Sequence, residues 1–310
     1  MKVLYIAGCG RSGSTILDNI VGQLDGFVSV GEVRYLWQRG VLADRLCGCG
    51  EPFSRCPFWT DVMGRVNQGG PVDATRIVEL LARGTRARHV PWLLRARRRP
   101  SDVRERLGEL PDVLGRVYDA VAATSGARVI VDSSKLPTYG ELLRHVPGVD
   151  PYVVHLVRDP RATAFSWSRA KPLPERDGGM MQRQSPSKSA ALWMLWNTTS
   201  QRFWGAGPRS FRVRYEDFIE APRPVIERIA TLVGEGPSGL PFASETEVRL
   251  ETTHGVAGNP SRFTTGTVSL KLDDAWRRDM RPRDRRLVTT ITAPLAYRYG
   301  YLGPRAPHPT

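Results

Sequence analysis

The feature that most constrains the fold is a glycine-rich turn between two apolar stretches. A short apolar run at residues 4–7 leads into Gly8-Cys9-Gly10-Arg11-Ser12-Gly13-Ser14-Thr15, and an amphipathic stretch follows up to Leu24. This order is that of a β-strand, a loop and an α-helix. The backbone N–H groups of such a loop and the helix dipole together form a site for an anion, and glycines let the loop wrap closely around a phosphate. We therefore predict a phosphate-binding βα unit, with a turn that binds no ligand as the alternative.

The spacing of this loop matches the triphosphate-binding pattern Gly-x4-Gly-Lys-Ser/Thr, except that Ser14 occupies the place of the lysine. Enzymes that cleave triphosphates use that lysine on the β- and γ-phosphates, and a hydroxyl group cannot replace its charge. Arg11 places a cation earlier in the loop, which suits a single charged group beyond the α-phosphate. The loop therefore favours a nucleotide other than a triphosphate.

Similar apolar runs recur at residues 128–131, 152–157 and 211–213, and helix-like sequence follows each of them. This recurrence predicts an α/β fold of the P-loop type, with a mostly parallel sheet flanked by helices on both faces. Strand candidates are few between about residues 40 and 126, where a Cys/Pro/Gly loop precedes Arg-rich helical sequence. We predict one domain over residues 1–310, in which this segment is an insertion that forms a lid over the active site. The tail after residue 304 is expected to fray.

The chain carries 45 Lys and Arg against 31 Asp and Glu, a formal net charge of +14. Such a field favours an anionic ligand, whether nucleotide, sulfated substrate, nucleic acid or acidic lipid. No aromatic–basic interleaving and no groove-reading helix is visible, so we expect no nucleic-acid partner. The arginines at residues 95–99 are open to two interpretations, a site for an acidic partner or a solvated helix end.

The first apolar run is too short for a signal peptide or a membrane span, so we expect a cytoplasmic protein. We expect a monomer or a homodimer.

A second motif begins where the apolar run at residues 152–157 meets Arg158-Asp159-Pro160. Asp159 is predicted to cap the next helix, with Pro160 in its first turn. Arg158 then lies at the carboxyl end of a strand, where open α/β sheets bind ligands. We predict that Arg158, through bidentate charge-assisted bonds, and Ser166, from the following helix, jointly hold a terminal phosphate. The alternative is that Arg158 pairs with Asp159.

These two motifs, in this order, resemble those of the family of sulfotransferases that use 3′-phosphoadenosine 5′-phosphosulfate (PAPS), and the resemblance runs along most of the chain. The loop from Arg11 to Thr15 looks like the 5′-phosphosulfate loop of that family, and Arg158 with Ser166 looks like its 3′-phosphate pair. The other matching segments are Gly31-Glu32, Asp132-Ser133-Ser134-Lys135, Arg214-Tyr215-Glu216-Asp217, and His254 with Gly258-Asn259-Pro260-Ser261-Arg262-Phe263. The last segment is similar to the one that closes over the nucleotide in bacterial members, which implies that Gly258, Asn259 and Arg262 contact it. The sequence departs from the animal cytosolic branch, which carries an Arg-Lys-Gly stretch near its end and uses a His base.

The resemblance implies in-line transfer of a sulfuryl group from PAPS to a hydroxyl or amine of a small-molecule, carbohydrate, lipid or peptide acceptor, which leaves 3′-phosphoadenosine 5′-phosphate (PAP). Such a transfer asks the protein mainly for alignment and charge stabilisation. The amides of Ser12, Gly13, Ser14 and Thr15 are expected to hold the 5′-phosphate, and Arg11 to neutralise charge on the bridging oxygen. A sulfuryl group carries one negative charge, so fixed cations can serve where kinases recruit magnesium, and no metal is expected.

Two further residues are candidates for catalysis. Lys135 resembles the lysine of the family that reaches the leaving oxygen or the sulfuryl group, with a surface lysine on a turn as the alternative. Glu32 resembles the catalytic glutamate of the tyrosylprotein and some bacterial branches, where a general base activates the acceptor. It could instead open the next helix, because a carboxylate there is favoured by the dipole. Arg34 and Tyr35 are close enough in sequence to orient an acceptor.

The remaining chemistry-bearing residues favour structural roles. His155 lies within an apolar run and is predicted to be a core residue, whereas His254 could contact either nucleotide or acceptor. Trp193 and Trp196 have helical spacing, which favours core positions over a stacking platform.

Three cysteines, Cys47, Cys49 and Cys56, are close in sequence. They are one ligand short of a four-ligand metal site, and His89 is too far along the chain to complete it convincingly. We therefore favour a local turn stabilised by thiols, or one reversible disulfide, over zinc.

Two other classes of function stay open. A P-loop kinase or NTPase is one, because residues 129–132 could pass for a magnesium-binding strand end, although the missing lysine argues against it. A non-catalytic module that keeps a nucleotide-binding fold is the other. No sequence rule ties the insertion to one acceptor.

Overall fold

The strands form one parallel sheet, as the sequence predicts. The computed structural model describes residues 1–170, 172, 179–205 and 207–303. Within these ranges, five strands form a sheet in the order β2-β3-β1-β4-β5, with all neighbouring pairs parallel. A separate antiparallel pair, β6 and β7, lies outside this sheet. The strands are β1 (Lys2–Gly8), β2 (Phe27–Gly31), β3 (Val129–Lys135), β4 (Asp150–Val157), β5 (Ser210–Arg214), β6 (Glu247–Leu250) and β7 (Gly266–Ser269).

Helices occupy most of the remaining described chain. The α-helices are α1 (Ser14–Val21), α2 (Pro57–Gln68), α3 (Ala74–Gly84), α4 (Val90–Ala96), α5 (Ser101–Leu107), α6 (Leu110–Ser125), α7 (Pro137–Leu142), α8 (Pro160–Ser168), α9 (Pro186–Trp204), α10 (Tyr215–Glu220), α11 (Pro222–Leu232), α12 (Trp276–Asp279) and α13 (Pro282–Arg298). Short connecting turns are a π-helix at Leu36–Val41 and 3₁₀ helices at Val33–Tyr35, Phe53–Arg55, Ala87–His89, Leu143–His145 and Pro260–Phe263. The described helices include none that is both long and apolar enough to cross a membrane.

The two-residue period of β1 explains why both faces of the sheet are covered. Val3, Tyr5 and Ala7 pack into one hydrophobic cluster, whereas Leu4 and Ile6 pack into another. Because successive side chains of a strand point to opposite faces, a strand that is apolar at every position needs helices on both sides. This arrangement confirms the predicted α/β fold.

The segment at residues 40–126 forms helices on one of these two faces of the sheet. The buried side chains of α2 to α6 belong to the same cluster as Val3 and Tyr5. Of these helices, α6 contacts β3 directly, and the others pack around it and around α7. Of this segment, Arg45 is the residue that borders the cavity described below. That the segment also opens and closes as a lid stays a prediction. The tail after residue 304 lies outside the described residues.

The order of the strands determines where a ligand can bind. The chain moves to one side of β1 to form β2 and β3, and to the other side to form β4 and β5. Open α/β sheets bind ligands at the carboxyl ends of the strands where the order reverses. The glycine loop follows β1 at this point, and Glu32 and Arg158 directly follow β2 and β4.

Candidate active site

A cavity of about 720 Å³ lies at the carboxyl edge of the sheet. It is bordered by the glycine loop, the ends of β2, β3 and β4, and a segment after β6. Most of the site residues predicted from the sequence border this one cavity, namely Arg11, Gly13, Ser14, Thr15, Glu32, Lys135, Arg158, Ser166, Gly258 and Asn259. The fold thus brings Arg11 and Asn259, which are 248 positions apart in the chain, to the same cavity.

The glycine loop adopts a conformation that its glycines make possible. Gly13 precedes α1 with φ of 90°, and a Cβ atom there would lie 2.4 Å from Cδ2 of Tyr215. Arg11 has φ of 69°, a left-handed conformation that is uncommon for a residue other than glycine. The loop therefore turns sharply and keeps its backbone close to its neighbours.

Several hydrogen-bond donors of the loop are buried without a partner. Among the described residues, Nε and Nη1 of Arg11 and Oγ of Ser12 have none. Nη2 of Arg11 lies 3.3 Å from the sulfur of Met181, and the guanidinium stacks 4.9 Å from the ring centroid of Trp167. Burial lowers the pKa of Arg11, and the nearby charge of Arg169 adds to this effect. Buried polar groups are normally satisfied, so these donors are suited to an anion.

Lys135 and Glu32 form an ion pair at the edge of the cavity. Nζ of Lys135 donates to Oε1 of Glu32 at 2.5 Å and to the carbonyl oxygen of Ser133 at 3.0 Å. Glu32 precedes the 3₁₀ helix Val33–Tyr35, but its side chain makes no capping hydrogen bond. Glu32 thus does open a helix, and its side chain is directed to Lys135 instead of capping it, so its role as a base stays a prediction. Lys135 is not a surface lysine, because its side chain is only 16% exposed. The pair offers a carboxylate for accepting a proton beside an ammonium group.

Arg158 is buried and makes contacts that the sequence does not reveal. Nη1 of Arg158 donates to the carbonyl oxygen of Arg11 at 3.2 Å. Nη2 donates to the carbonyl oxygen of Asp273 at 3.0 Å and lies 3.2 Å from its carboxylate. The guanidinium stacks 4.5 Å from the ring centroid of Tyr215.

The carboxylate of Asp273 is shared between two guanidinium groups. It lies 2.8 Å from Nη2 of Arg169 as well as 3.2 Å from Arg158. Partial burial would raise the pKa of Asp273, but the charges of Arg158 and Arg169 outweigh it and hold the pKa below its ordinary value. The two arginines thus form a place that accepts an anionic oxygen.

The alternative pairing of Arg158 with Asp159 is wrong. Asp159 accepts from the backbone N–H of Arg161 at 2.8 Å and pairs with its guanidinium at 2.6 Å. It caps α8, and Pro160 occupies the first turn, as predicted. Ser166 lies further along α8, is 3% exposed and borders the same cavity as Arg158. The joint binding of a phosphate by Arg158 and Ser166 stays a prediction.

The segment after His254 reaches the cavity through Gly258 and Asn259, but not through Arg262. A Cβ atom on Gly258 would lie 3.6 Å from Oε1 of Glu32. Arg262 is not among the residues that border the cavity, and it donates to the carbonyl oxygens of Gly258 at 3.4 Å and Leu46 at 3.1 Å. Burial lowers its pKa to about 10. These bonds hold the segment together, and the contact between Arg262 and the nucleotide stays a prediction.

Other predictions from the sequence have mixed outcomes. His155 is a buried core residue whose Nε2 lies 2.9 Å from Oδ1 of Asn197, and burial lowers its pKa to about 4. Trp193 is also a core residue, but Trp196 is half-buried and borders the cavity. Neither His254 nor Arg34 borders the cavity, whereas Tyr35 does.

Asp132 does not serve as a magnesium-binding strand end. It is completely buried and does not border the cavity. Its carboxylate accepts hydrogen bonds from the hydroxyl of Tyr118 at 2.6 Å and from the backbone N–H of Ser134 at 2.8 Å. Burial raises its pKa to about 6. The feature that could have indicated a kinase is thus an internal hydrogen-bond acceptor.

Cavity residues that the sequence analysis missed come mainly from segments without regular patterns. The basic residues among them are Arg39 and Arg45, and the acidic residue is Asp273. The cavity is also lined by Trp167, Met180, Met181 and Leu192. Counted with the predicted residues, the described wall carries five basic and two acidic side chains, which favours an anionic ligand.

Fold and cavity together define an α/β protein whose glycine loop borders a cavity suited to an anionic ligand. A model of the sulfotransferase family matches residues 4–236, a stretch that contains the loop, Glu32, Lys135 and Arg158. The chain therefore belongs to the sulfotransferase family. No curated protein sequence matches it significantly.

Two solved structures have a similar fold. The sulfotransferase domain from the Synechococcus PCC 7002 olefin synthase is 17% identical, with 94% of each chain covered and a TM-score of 0.50. The sulfotransferase domain from the curacin biosynthetic pathway is 16% identical, with 94% of this chain and 97% of that domain covered and a TM-score of 0.52. At this identity the likeness concerns the fold alone.

Proposed function

We propose that this sulfotransferase takes its sulfuryl group from PAPS and transfers it to a hydroxyl or amine of a small acceptor. The observation that carries the proposal is the presence of two separate anion-accepting places on one cavity. One is the glycine loop with Arg11, and the other is the Arg158 guanidinium, which borders the same cavity as Ser166. A nucleotide with phosphates on both its 5′ and 3′ positions needs two such places.

The donors of the site fit this co-substrate. Arg11 borders the cavity, and its unpartnered Nε and Nη1 are suited to a 5′-phosphosulfate. Ser12, whose Oγ is also unpartnered, lies in the same loop but does not border the cavity. At the second place, Arg158 already holds an anionic oxygen from Asp273. A phosphate on the ribose would replace that carboxylate and bring more negative charge to the same guanidinium.

PAPS supplies an activated sulfuryl group, and the side chains of the protein supply orientation, charge and a proton acceptor. Glu32 accepts the proton of the acceptor hydroxyl, because it is the carboxylate that borders the cavity beside the ammonium of Lys135. Lys135 holds the Glu32 carboxylate in position and places a positive charge where negative charge develops. Arg11 adds a second positive charge from the loop.

The nucleotide preference is tested by isothermal titration calorimetry with PAP, adenosine 5′-monophosphate and magnesium-ATP. We expect PAP to bind with a micromolar Kd, about −8 kcal/mol, because both anion-accepting places are filled. The 5′-monophosphate, which lacks the 3′-phosphate, is the matched control and should bind about 100-fold more weakly, since it forgoes a charge-assisted bidentate pair. Tight magnesium-dependent binding of ATP without binding of PAP would contradict the proposal.

A further inference from the structure

Four potential metal ligands converge next to the segment that carries Gly258 and Asn259. The sulfur atoms of Cys47, Cys49 and Cys56 and a ring nitrogen of His254 all lie within 4.8 Å of one another. Nδ1 of His254 is 3.3 Å from the sulfur of Cys56 and 3.7 Å from that of Cys47. The sulfurs of Cys49 and Cys56 are 3.6 Å apart, and all three cysteines are free thiols. The fold thus supplies the fourth ligand that the sequence analysis did not find.

The spacing of these atoms fits a tetrahedral zinc ion. Zinc binds thiolate sulfur at about 2.3 Å and imidazole nitrogen at about 2.0 Å, so neighbouring ligand atoms lie about 3.5 to 3.8 Å apart. The three distances given above, from 3.3 to 3.7 Å, are close to these distances between the ligand atoms of a zinc site. A disulfide would bring together two of the sulfurs, but it would not require a histidine nitrogen beside them.

The surroundings shift the pKa of these thiols in two opposite directions. The backbone N–H groups of Cys49 and Trp59 donate to the sulfurs of Cys47 and Cys56 and lower the pKa of each thiol. Cys56 also precedes α2, whose dipole favours negative charge at that end. Burial has the larger and opposite effect, raising the pKa of both thiols, so they need a cation nearby to ionise.

His254 is held as a ligand should be. Its ring stacks on Phe58, with 4.8 Å between the ring centroids and 8° between the planes. Its carbonyl oxygen accepts from the indole N–H of Trp59 at 2.8 Å. Burial lowers the pKa of His254, which favours the neutral imidazole that binds metals. Such packing around a ligand sets the orientation of the ring.

We propose that Cys47, Cys49, Cys56 and His254 bind one Zn²⁺ ion in a closed, structural site. Binding releases the protons of the three thiols, and no atom changes its oxidation state. Four protein ligands leave no open position, and none of the four residues borders the active cavity, so this zinc takes no part in the transfer. The proposal departs from the preference for a thiol-stabilised turn or a disulfide over zinc, which rested on three cysteines without a convincing fourth ligand.

The ion would join two distant parts of the chain at the cavity wall. The backbone N–H of Gly48 donates to the carbonyl oxygen of Gly255 at 3.0 Å, and a Cβ atom on Gly48 would lie 2.6 Å from the carbonyl oxygen of Thr253. Gly258 and Asn259, which border the cavity, follow His254 by four and five positions. The zinc would therefore fix the segment that closes one wall of the active site, whatever nucleotide binds there.

The direct test is the metal content of the full-length protein, purified under reducing conditions from a zinc-supplemented culture and measured by inductively coupled plasma mass spectrometry. We expect about one zinc ion per chain. Cys49→Ser and His254→Gln should each reduce the zinc content at least about tenfold. Cys9→Ala removes a buried thiol outside the cluster and should keep the zinc.

X-ray absorption at the zinc edge of the unaltered protein gives an answer even if the variants do not fold. We expect about three sulfur ligands near 2.3 Å and one nitrogen near 2.0 Å. The proposal is overturned if the reduced protein neither contains zinc nor binds added zinc, if both folded variants keep it in full, or if mass spectrometry shows a Cys49–Cys56 disulfide under the same conditions. None of these results depends on PAP binding, so the zinc site and the proposed donor can fail separately.

Discussion

Two ion pairs border the active cavity, and they are built in different ways. Lys135 and Glu32 lie at the ends of β3 and β2, which are neighbours in the sheet, so the backbone of the sheet sets the distance between them. Arg158 follows β4, but its partner Asp273 lies in an irregular segment between β7 and α12. The first pair is a fixed part of the sheet edge, whereas the second joins the edge to a loop.

This difference indicates different tasks. The side chains of Lys135 and Glu32 are 16% and 9% exposed, so separating them would leave a largely buried charge without a partner. The side chain of Asp273 is 35% exposed, and it can return to water at a lower cost. We therefore propose that the Lys135–Glu32 pair takes part in the chemistry and the Arg158–Asp273 pair in ligand exchange.

The largest effect is expected from Glu32→Gln, which keeps the shape of the side chain but removes its basicity. PAP release from PAPS, with a metabolite extract as the source of acceptor, should slow about 10³-fold, while PAP affinity changes little. Glu235→Gln alters a glutamate that pairs with Lys2 and Arg128, outside the cavity, and serves as the control. Unchanged turnover in Glu32→Gln would remove Glu32 as the base, and no turnover in any variant would favour a non-catalytic module.

A somewhat smaller loss is expected from Lys135→Ala. Turnover should fall about 10²- to 10³-fold because a positive charge aimed at the reacting groups is lost. The free energy of unfolding of the variant should also be about 3 kcal/mol lower, because Glu32 is left without its partner. Urea denaturation would measure this difference. Lys2→Ala, which breaks a pair outside the cavity, is the matched control. Full activity in Lys135→Ala would show that the first pair has only a structural role.

The second pair is tested by Arg158→Ala, whose effect should fall on binding. PAP affinity should drop about 100-fold in calorimetry, because bidentate contact with a phosphate is lost. Arg209→Ala removes the same charge next to the amino end of β5, at the opposite edge of the sheet, and should leave affinity nearly unchanged. Equal affinity in both variants would refute the placement of the 3′-phosphate at Arg158.

The smallest effect is expected from Asp273→Asn. The carboxylate competes with a phosphate for Arg158, so its removal should tighten PAP binding by about threefold to tenfold, and the gain should shrink at high salt. Calorimetry at two ionic strengths measures both changes. Weaker binding would mean that Asp273 holds Arg158 in position instead of competing for it.

What could be predicted from the sequence depended on local patterns. The apolar runs predicted the strands, because a strand that is buried on both faces is apolar at nearly every position, and such a run is visible within a few residues. The glycine loop and Arg158 were predicted in the same way, since each lies directly after such a run.

Contacts between distant segments could not be predicted. Arg158 and Asp273 are 115 positions apart, and Cys56 and His254 are 198 apart. No periodicity links the members of either pair, because the fold alone brings them together. Helical periodicity likewise predicted a core position for Trp196, whereas this residue is half-buried and borders the cavity.

The most direct test of the account is a crystal structure of the protein with PAP. We expect the 3′-phosphate within hydrogen-bonding distance of Arg158 and Ser166, with the carboxylate of Asp273 displaced from Arg158, and the 5′-phosphate against the amides of residues 12–15. A glycine loop that stays empty at saturating PAP, or that binds a triphosphate with magnesium instead, would contradict it.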